Sequence, residues 1–249
     1  MTAQPSVIAG TQRVLSPTAA ARLRDRRFFT GMAVVAAVIA FVGFAPSYYL
    51  RALSDRPPLP TLVHFHGALS TAWILLFLAQ TSLVAARRTD LHRRLGVVGA
   101  ALAAVLLVVG CLTAVEGARR GVTPPGGPPP LAFLSVPLGT IVVFAILAGT
   151  GLANRRRSET HRRLMLLATI ALLTPAISRF RYFMPGGPAL AIGGTIALVL
   201  VCLAYDRLSH GRIHPAFLWG GLFLIVSLPA RFALGATPMW RPVAEWLTR

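Results

Sequence analysis

Seven apolar stretches, at about 28–46, 62–86, 95–115, 131–153, 164–183, 188–205 and 216–236, dominate this chain. Each approaches the ~20 residues a helix needs to cross a bilayer core. Short segments rich in arginine, or in proline and glycine, separate them. In lipid each stretch must satisfy its own backbone hydrogen bonds, which a helix does within a single segment. The expected fold class is therefore all-α, a polytopic transmembrane helical bundle of about seven spans over residues 28–236. A basic segment, 1–27, precedes it and a short interfacial helix, 237–249, follows. Only 13% of the residues are charged and mean hydropathy is +0.67, whereas a soluble domain carries roughly 25% charged residues.

The cations outside histidine are all arginine, 25 of them against seven acids, for a formal net charge of +18. Such an excess suits nucleic acid in a soluble protein. Here the arginines cap the apolar runs, so topology accounts for them and nucleic acid is not expected as a partner. If the spans alternate, 16 arginines share the N-terminal side and nine lie opposite. The richer side is expected to be cytoplasmic, with the N-terminus inside and the C-terminus outside a bacterial plasma membrane. The partners implied are the bilayer and its anionic inner-leaflet lipids. The first span is followed by "APSYYLR", not by a small-residue cleavage site, so it is expected to be retained. Cys111 and Cys202 lie inside apolar runs and read as small buried hydrophobes.

Two polar segments match. "RRTDLHRRLG" runs from Arg87 to Gly96 and "RRRSETHRRLM" from Arg155 to Met165, placing His92 and His161 in register 69 positions apart. In each, Thr89 or Ser158 is expected to cap a helix, and Asp90 or Glu159 to complement its dipole. The arginines are expected to anchor the helix start at the headgroups. Only the histidines lack a structural role. A looser third version, "DRLSHGRIHPA", ends with His214-Pro215 opening the last span. The chain thus reads as three similar hairpins, 62–115, 131–183 and 188–236, behind one leading helix, with breaks at "TPPGGPPP" and "MPGGP".

The far ends of two spans also match: "TPAISRF" and "SLPARF" each set an arginine just past a proline. Arg179 and Arg231 fall some 16–18 residues beyond His161 and His214, roughly 25 Å along a helix. His66 reaches a comparable height on the second span. His66, Arg179 and Arg231 are therefore candidate anion-binding residues, with Pro175 and Pro229 expected to kink their helices inward. The competing expectation is that both arginines snorkel to the outer interface. In "RPVAEWLTR", Trp240, Val243, Ala244 and Leu247 share a face opposite Arg241, Glu245 and Arg249, as an interfacial helix requires.

The stretch "HFHGALSTAWILLFLAQTSLVAARRTDLHRRLGVVGA" resembles a family of bacterial multi-spanning membrane proteins. The match runs through His66, Gln80, Arg87 and the His92-Arg-Arg-Leu-Gly96 turn, over residues 62–100. That family carries no assigned activity, so the resemblance implies a fold and not a chemistry. More distantly, histidines on neighbouring spans resemble the haem-binding bundles of b-type cytochromes, which implies haem b. His66 and His92 are 26 residues apart, about 39 Å along a helix, and cannot share one haem. His92 and His161 are the candidate cofactor ligands.

Several chemistries are excluded. Without lysine there is no retinal Schiff base, and neither HExxH nor a GxSG serine motif occurs. No acid lies mid-span, which disfavours carboxylate-driven proton coupling. Three readings remain open, and no catalytic residue is nominated in any of them. They are a binding or transport bundle with an outer anion pocket, a redox protein holding haem b or a metal, and a scaffold or assembly factor with self-association.

Overall fold

The computed structural model describes residues 16–54, 57–183 and 187–249. Residues 1–15 of the expected basic segment, Arg13 among them, lie outside the described residues, as do Arg56, residues 184–186 of "MPGGP" and the side chain of Arg181. The helices are α1 (Pro17–Phe44), α2 (Thr61–Ala85), α3 (Thr89–Arg119), α4 (Pro130–Phe133), α5 (Ser135–Ala153), α6 (Ser158–Ser178), α7 (Gly187–His210), α8 (Pro215–Gly235) and α9 (Trp240–Leu247). A π-helical turn, Ala45–Tyr49, extends α1, and 3-10 turns cover Arg51–Leu53 and Arg179–Tyr182.

α1 begins well before its apolar run. The Ser16 hydroxyl accepts from the Ala19 amide at 3.3 Å and Pro17 opens the first turn, so the helix nucleates there and carries on through Arg22, Arg24, Arg26 and Arg27. Part of the expected polar segment is thus helical. The expected caps Thr89 and Ser158 are instead the first residues of their helices. The reason is local. The Arg88 and Arg157 carbonyls already accept from the His92 and His161 amides, at 3.1 and 2.9 Å, so each helix starts one residue earlier and no side-chain oxygen closes it.

Six helical stretches are long and apolar enough to cross a bilayer: α1 with its π turn, α2, α3, α4 with α5, α7 and α8. The seventh expected span, α6, has 21 residues, but Glu159, His161, Arg162 and Arg163 fill its first turns. It escapes the usual apolar requirement because it has no lipid-facing side. Residues 166–171 are all 1% exposed or less, and α1, α5, α7 and α8 surround the helix. A helix enclosed by protein answers to its neighbours, not to acyl chains. The outer helices instead carry large apolar side chains outward, such as Val38 and Phe41 on α1, Val97 and Val108 on α3, and Trp219 and Val226 on α8.

Packing ties α1, α2, α3, α5 and α6 into a closed ring by successive contacts, while α7 and α8 cover the remaining side of α6. Of the expected hairpins, α2/α3 and α5/α6 are extensively packed pairs; α7 lies more against α6 than against α8. Trp73 crosses the ring, its indole N–H donating to the Thr169 hydroxyl at 3.3 Å and its ring meeting Phe144 edge-on at 5.0 Å. On α1, Ala33, Ala36, Ala40 and Gly43 form a small-residue stripe, and Ala36 and Ala40 pack with Leu173 and Ile177. At its end a Cβ on Gly43 would stand 2.3 Å from the Ala176 carbonyl oxygen. Close backbone approach of this kind is how membrane helices gain packing energy. α9 docks on the end of α3 and on α4: Ala244 is fully buried with Ala118 and Leu134, and Trp240 Nε1 donates to the Leu131 carbonyl at 2.8 Å.

Candidate functional site

The starts of α1, α3, α6 and α8 and the ends of α2 and α7 gather at one end of the bundle, which is the arginine-rich end. There the two motif copies converge and then diverge. His92 on α3 and His161 on α6 approach to 6.3 Å between ring centres, with 77° between the ring planes. His161 Nδ1–H donates to the Gly151 carbonyl of α5 at 2.8 Å. That bond fixes the tautomer and leaves Nε2 with the free lone pair. His92 Nδ1 and Gln80 Oε1 are buried without a partner, and the Gln80 amide stands 3.8 Å from where a Cβ on Gly96 would be. Gln80 and Gly96 are therefore neighbours across α2 and α3.

The arginines that follow the histidines part company. Arg93 and Arg94 are exposed. Arg163 is 2% exposed and Arg162 half-buried, so the expectation that this pair meets lipid is corrected. Arg163 grips Asp206 of α7 with two nitrogens, Nη2 to Oδ1 at 2.6 Å and Nε to Oδ2 at 2.9 Å, and holds Glu159 Oε2 through Nη1 at 2.6 Å. Arg162 joins the same Glu159 oxygen, at 2.6 Å, to Asp25 of α1, at 2.8 Å. His210 stands between Asp25, at 3.2 Å, and Asp206, at 3.5 Å. Tyr205 donates to Asp25 and stacks on Phe28 at 3.6 Å. The other Asp206 oxygen accepts the His214 amide at 2.9 Å, and His214 Nδ1 in turn accepts from the Ala216 amide at 3.1 Å, capping α8.

This clasp joins α1, α6, α7 and α8 and uses three of the chain's seven acids. Three carboxylates face two guanidinium groups and one imidazole. Fully hydrogen-bonded bidentate pairing is what makes a buried ion pair tolerable. The sequence alone assigns Asp25 and Asp206 no partner. The available signal was that Asp25, Glu159 and Asp206 all fall at arginine-rich ends of apolar runs.

At the opposite end the three anion-binding candidates are disposed as follows. His66, half-buried on α2, has its Nδ1 buried without a partner and stands within electrostatic reach of Arg179. Arg179 follows α6, lies 4.5 Å over the Phe44 ring and donates to the Pro175 carbonyl at 2.8 Å. α6 and α8 continue through Pro175 and Pro229. The Thr174 hydroxyl donates at 3.2 Å to the Ala171 carbonyl, the one that Pro175 cannot serve. Arg231 is engaged elsewhere. It is 4% exposed, stacked against Gly139 of α5, and donates to the Thr140 and Ser227 hydroxyls at 2.7 Å each.

Fold and composition define a class: a multi-pass helical protein of the membrane, with a buried charge clasp and a histidine pair at one end. Comparison of the chain with protein-family models, curated proteins and solved structures returns no match. The site must therefore be read from its own chemistry.

Proposed function

We propose that this is a redox protein of the bacterial plasma membrane, N-terminus inside and C-terminus outside, that holds a b-type haem between His92 and His161. The spacing of that pair is the observation that carries the reading. His92 and His161, their ring centres 6.3 Å apart, would each offer one imidazole to the iron. The donor set narrows the choice of metal. Among the described residues no group of three or more His, Cys, Asp or Glu could hold an ion. A bare zinc ion wants four protein ligands, whereas haem iron needs only two axial ones. The Gly151 carbonyl supplies the orienting hydrogen bond that ligating histidines usually have. Arg93 and Arg94, exposed and next to His92 in sequence, would be the cations available to propionates.

When bound, haem would supply one-electron transfer at the cytoplasmic face. His92 and His161 would hold the iron, the Gly151 carbonyl orients His161, and the clasp fixes the start of α6 on which His161 stands. Replacing His92 or His161 by Ala should each abolish haem retention in purified protein while leaving the helical circular dichroism intact. If both variants keep full haem content, this pair is not the ligand set.

A further inference from the structure

At the end of the bundle opposite the arginine-rich one, α9 presents an apolar edge that the haem chemistry does not involve. The helix is pinned there from two sides. Trp240 and Leu247 pack on the cluster of Ala118, Leu134 and Ala244, and the Trp240 indole donates to the Leu131 carbonyl at 2.8 Å. From α3, Arg119 Nε donates to the Thr248 carbonyl at 3.1 Å and its Nη2 to the Arg249 carbonyl. Three of the four side chains expected to meet the membrane, Trp240, Ala244 and Leu247, are thus occupied by protein. A neighbouring edge is free: Met239, Val243 and Trp246 are 84%, 46% and 67% exposed. In a helix of 3.6 residues per turn, this edge lies about 100° to one side of the docked face, and Arg241 and Glu245 lie about 110° to the other. Those two pair with each other at 2.8 Å and stay exposed.

We infer that the Met239, Val243 and Trp246 edge of α9 beds into the acyl-chain boundary of the leaflet at this end, with Arg241 and Glu245 turned to water. Docking on Ala118, near the end of α3, and on Leu134, early in the span that contains α5, fixes α9 at the level where the spans end. Leu112, two turns from the end of α3, and Leu234, in the last turn of α8, are exposed apolar side chains, so acyl chains reach this level of the bundle. Tryptophan is favoured at that boundary, and an amphipathic helix lying in its plane sinks its apolar edge about 5–10 Å. A second copy does not suit the edge, because three side chains fall far short of the roughly 20–30 residues a side of a stable protein interface.

The test is tryptophan fluorescence of the full chain in phosphatidylcholine vesicles. The quenchers are lipid brominated at the headgroup end of its acyl chains and, separately, iodide on both sides of the vesicles. The component that Trp246→Phe removes should be quenched by the brominated lipid and spared by iodide. Adding Val243→Trp to that variant should restore a lipid-quenched component, whereas adding Glu245→Trp should give one that iodide quenches. A Trp246 component that answers to iodide alone puts the edge in water, and one that answers to neither quencher puts it under protein, a second copy included; either result overturns the inference. So does a Glu245→Trp component as lipid-quenched as that of Val243→Trp. Should Trp246→Phe fail to fold, Val243→Trp and Glu245→Trp in the wild-type background decide by the components they add.

Discussion

Asp206 is fully buried beside an Arg163 that is 2% exposed, so neither charge tolerates the loss of the other. Asp206→Asn or Arg163→Met alone should each destabilise the protein by about 3–5 kcal/mol, measured by thermal or denaturant unfolding in a fixed detergent. The double variant Arg163→Met/Asp206→Leu should recover much of that loss, because it removes both desolvation penalties together. A second expectation concerns His214. Burial, and then the positive charge of Arg163, hold its imidazole below the ordinary 6.5, with smaller opposing effects from Asp206 and Glu159 and a further lowering one from Arg162. The folded state thus favours the neutral ring, whose Nδ1 lone pair caps α8. This contribution is complete above pH 6.5 and declines as the pH falls below it, since the unfolded chain then takes up the proton first. His214→Asn, which caps without titrating, should flatten that part of the unfolding midpoint's pH profile; an unchanged profile would remove His214 from the account.

At the scale of elements, the α1/α6 seam is the tightest place to disturb. Adding a Cβ at Gly43 presses on the backbone of Ala176, which cannot rotate away, so Gly43→Ala should cost about 1–3 kcal/mol. Gly31, also on α1, has nothing within 4 Å of an added Cβ, and Gly31→Ala should stabilise by up to about 1 kcal/mol through helix propensity. The two variants measured side by side separate close packing from propensity. The helices are also the features most legible in the sequence. Apolar length located every helix from α1 to α8 except the short α4, and helical spacing in "RPVAEWLTR" located α9. It erred where a single local contact decides, as at the starts of α1, α3 and α6. The enclosure of α6 was not legible, because an apolar run reports hydropathy and not which neighbour covers it.

For the whole molecule, alternation of six apolar spans and the enclosed α6 is what sets the proposed orientation. A reporter fused after residue 249 should be active outside and one fused after Ala153, at the arginine-rich end, inside; the reverse pattern would invert the molecule and move the histidine pair to the outer face. The candidate site was partly legible in advance, since a polar phrase written twice draws attention to His92 and His161. The clasp was not, because Asp25 and Asp206 lie 181 positions apart and share no motif. Height along a helix alone suggests that His66, Arg179 and Arg231 converge. Height leaves azimuth undefined, and Arg231 is turned toward Thr140 on α5.

The visible absorption spectrum of the purified full-length protein, with iron counted per chain, bears most directly on the proposed function. A Soret band with one iron per chain, shifting on reduction by dithionite, is the expected result. Colourless, iron-free protein from haem-sufficient cells would contradict it.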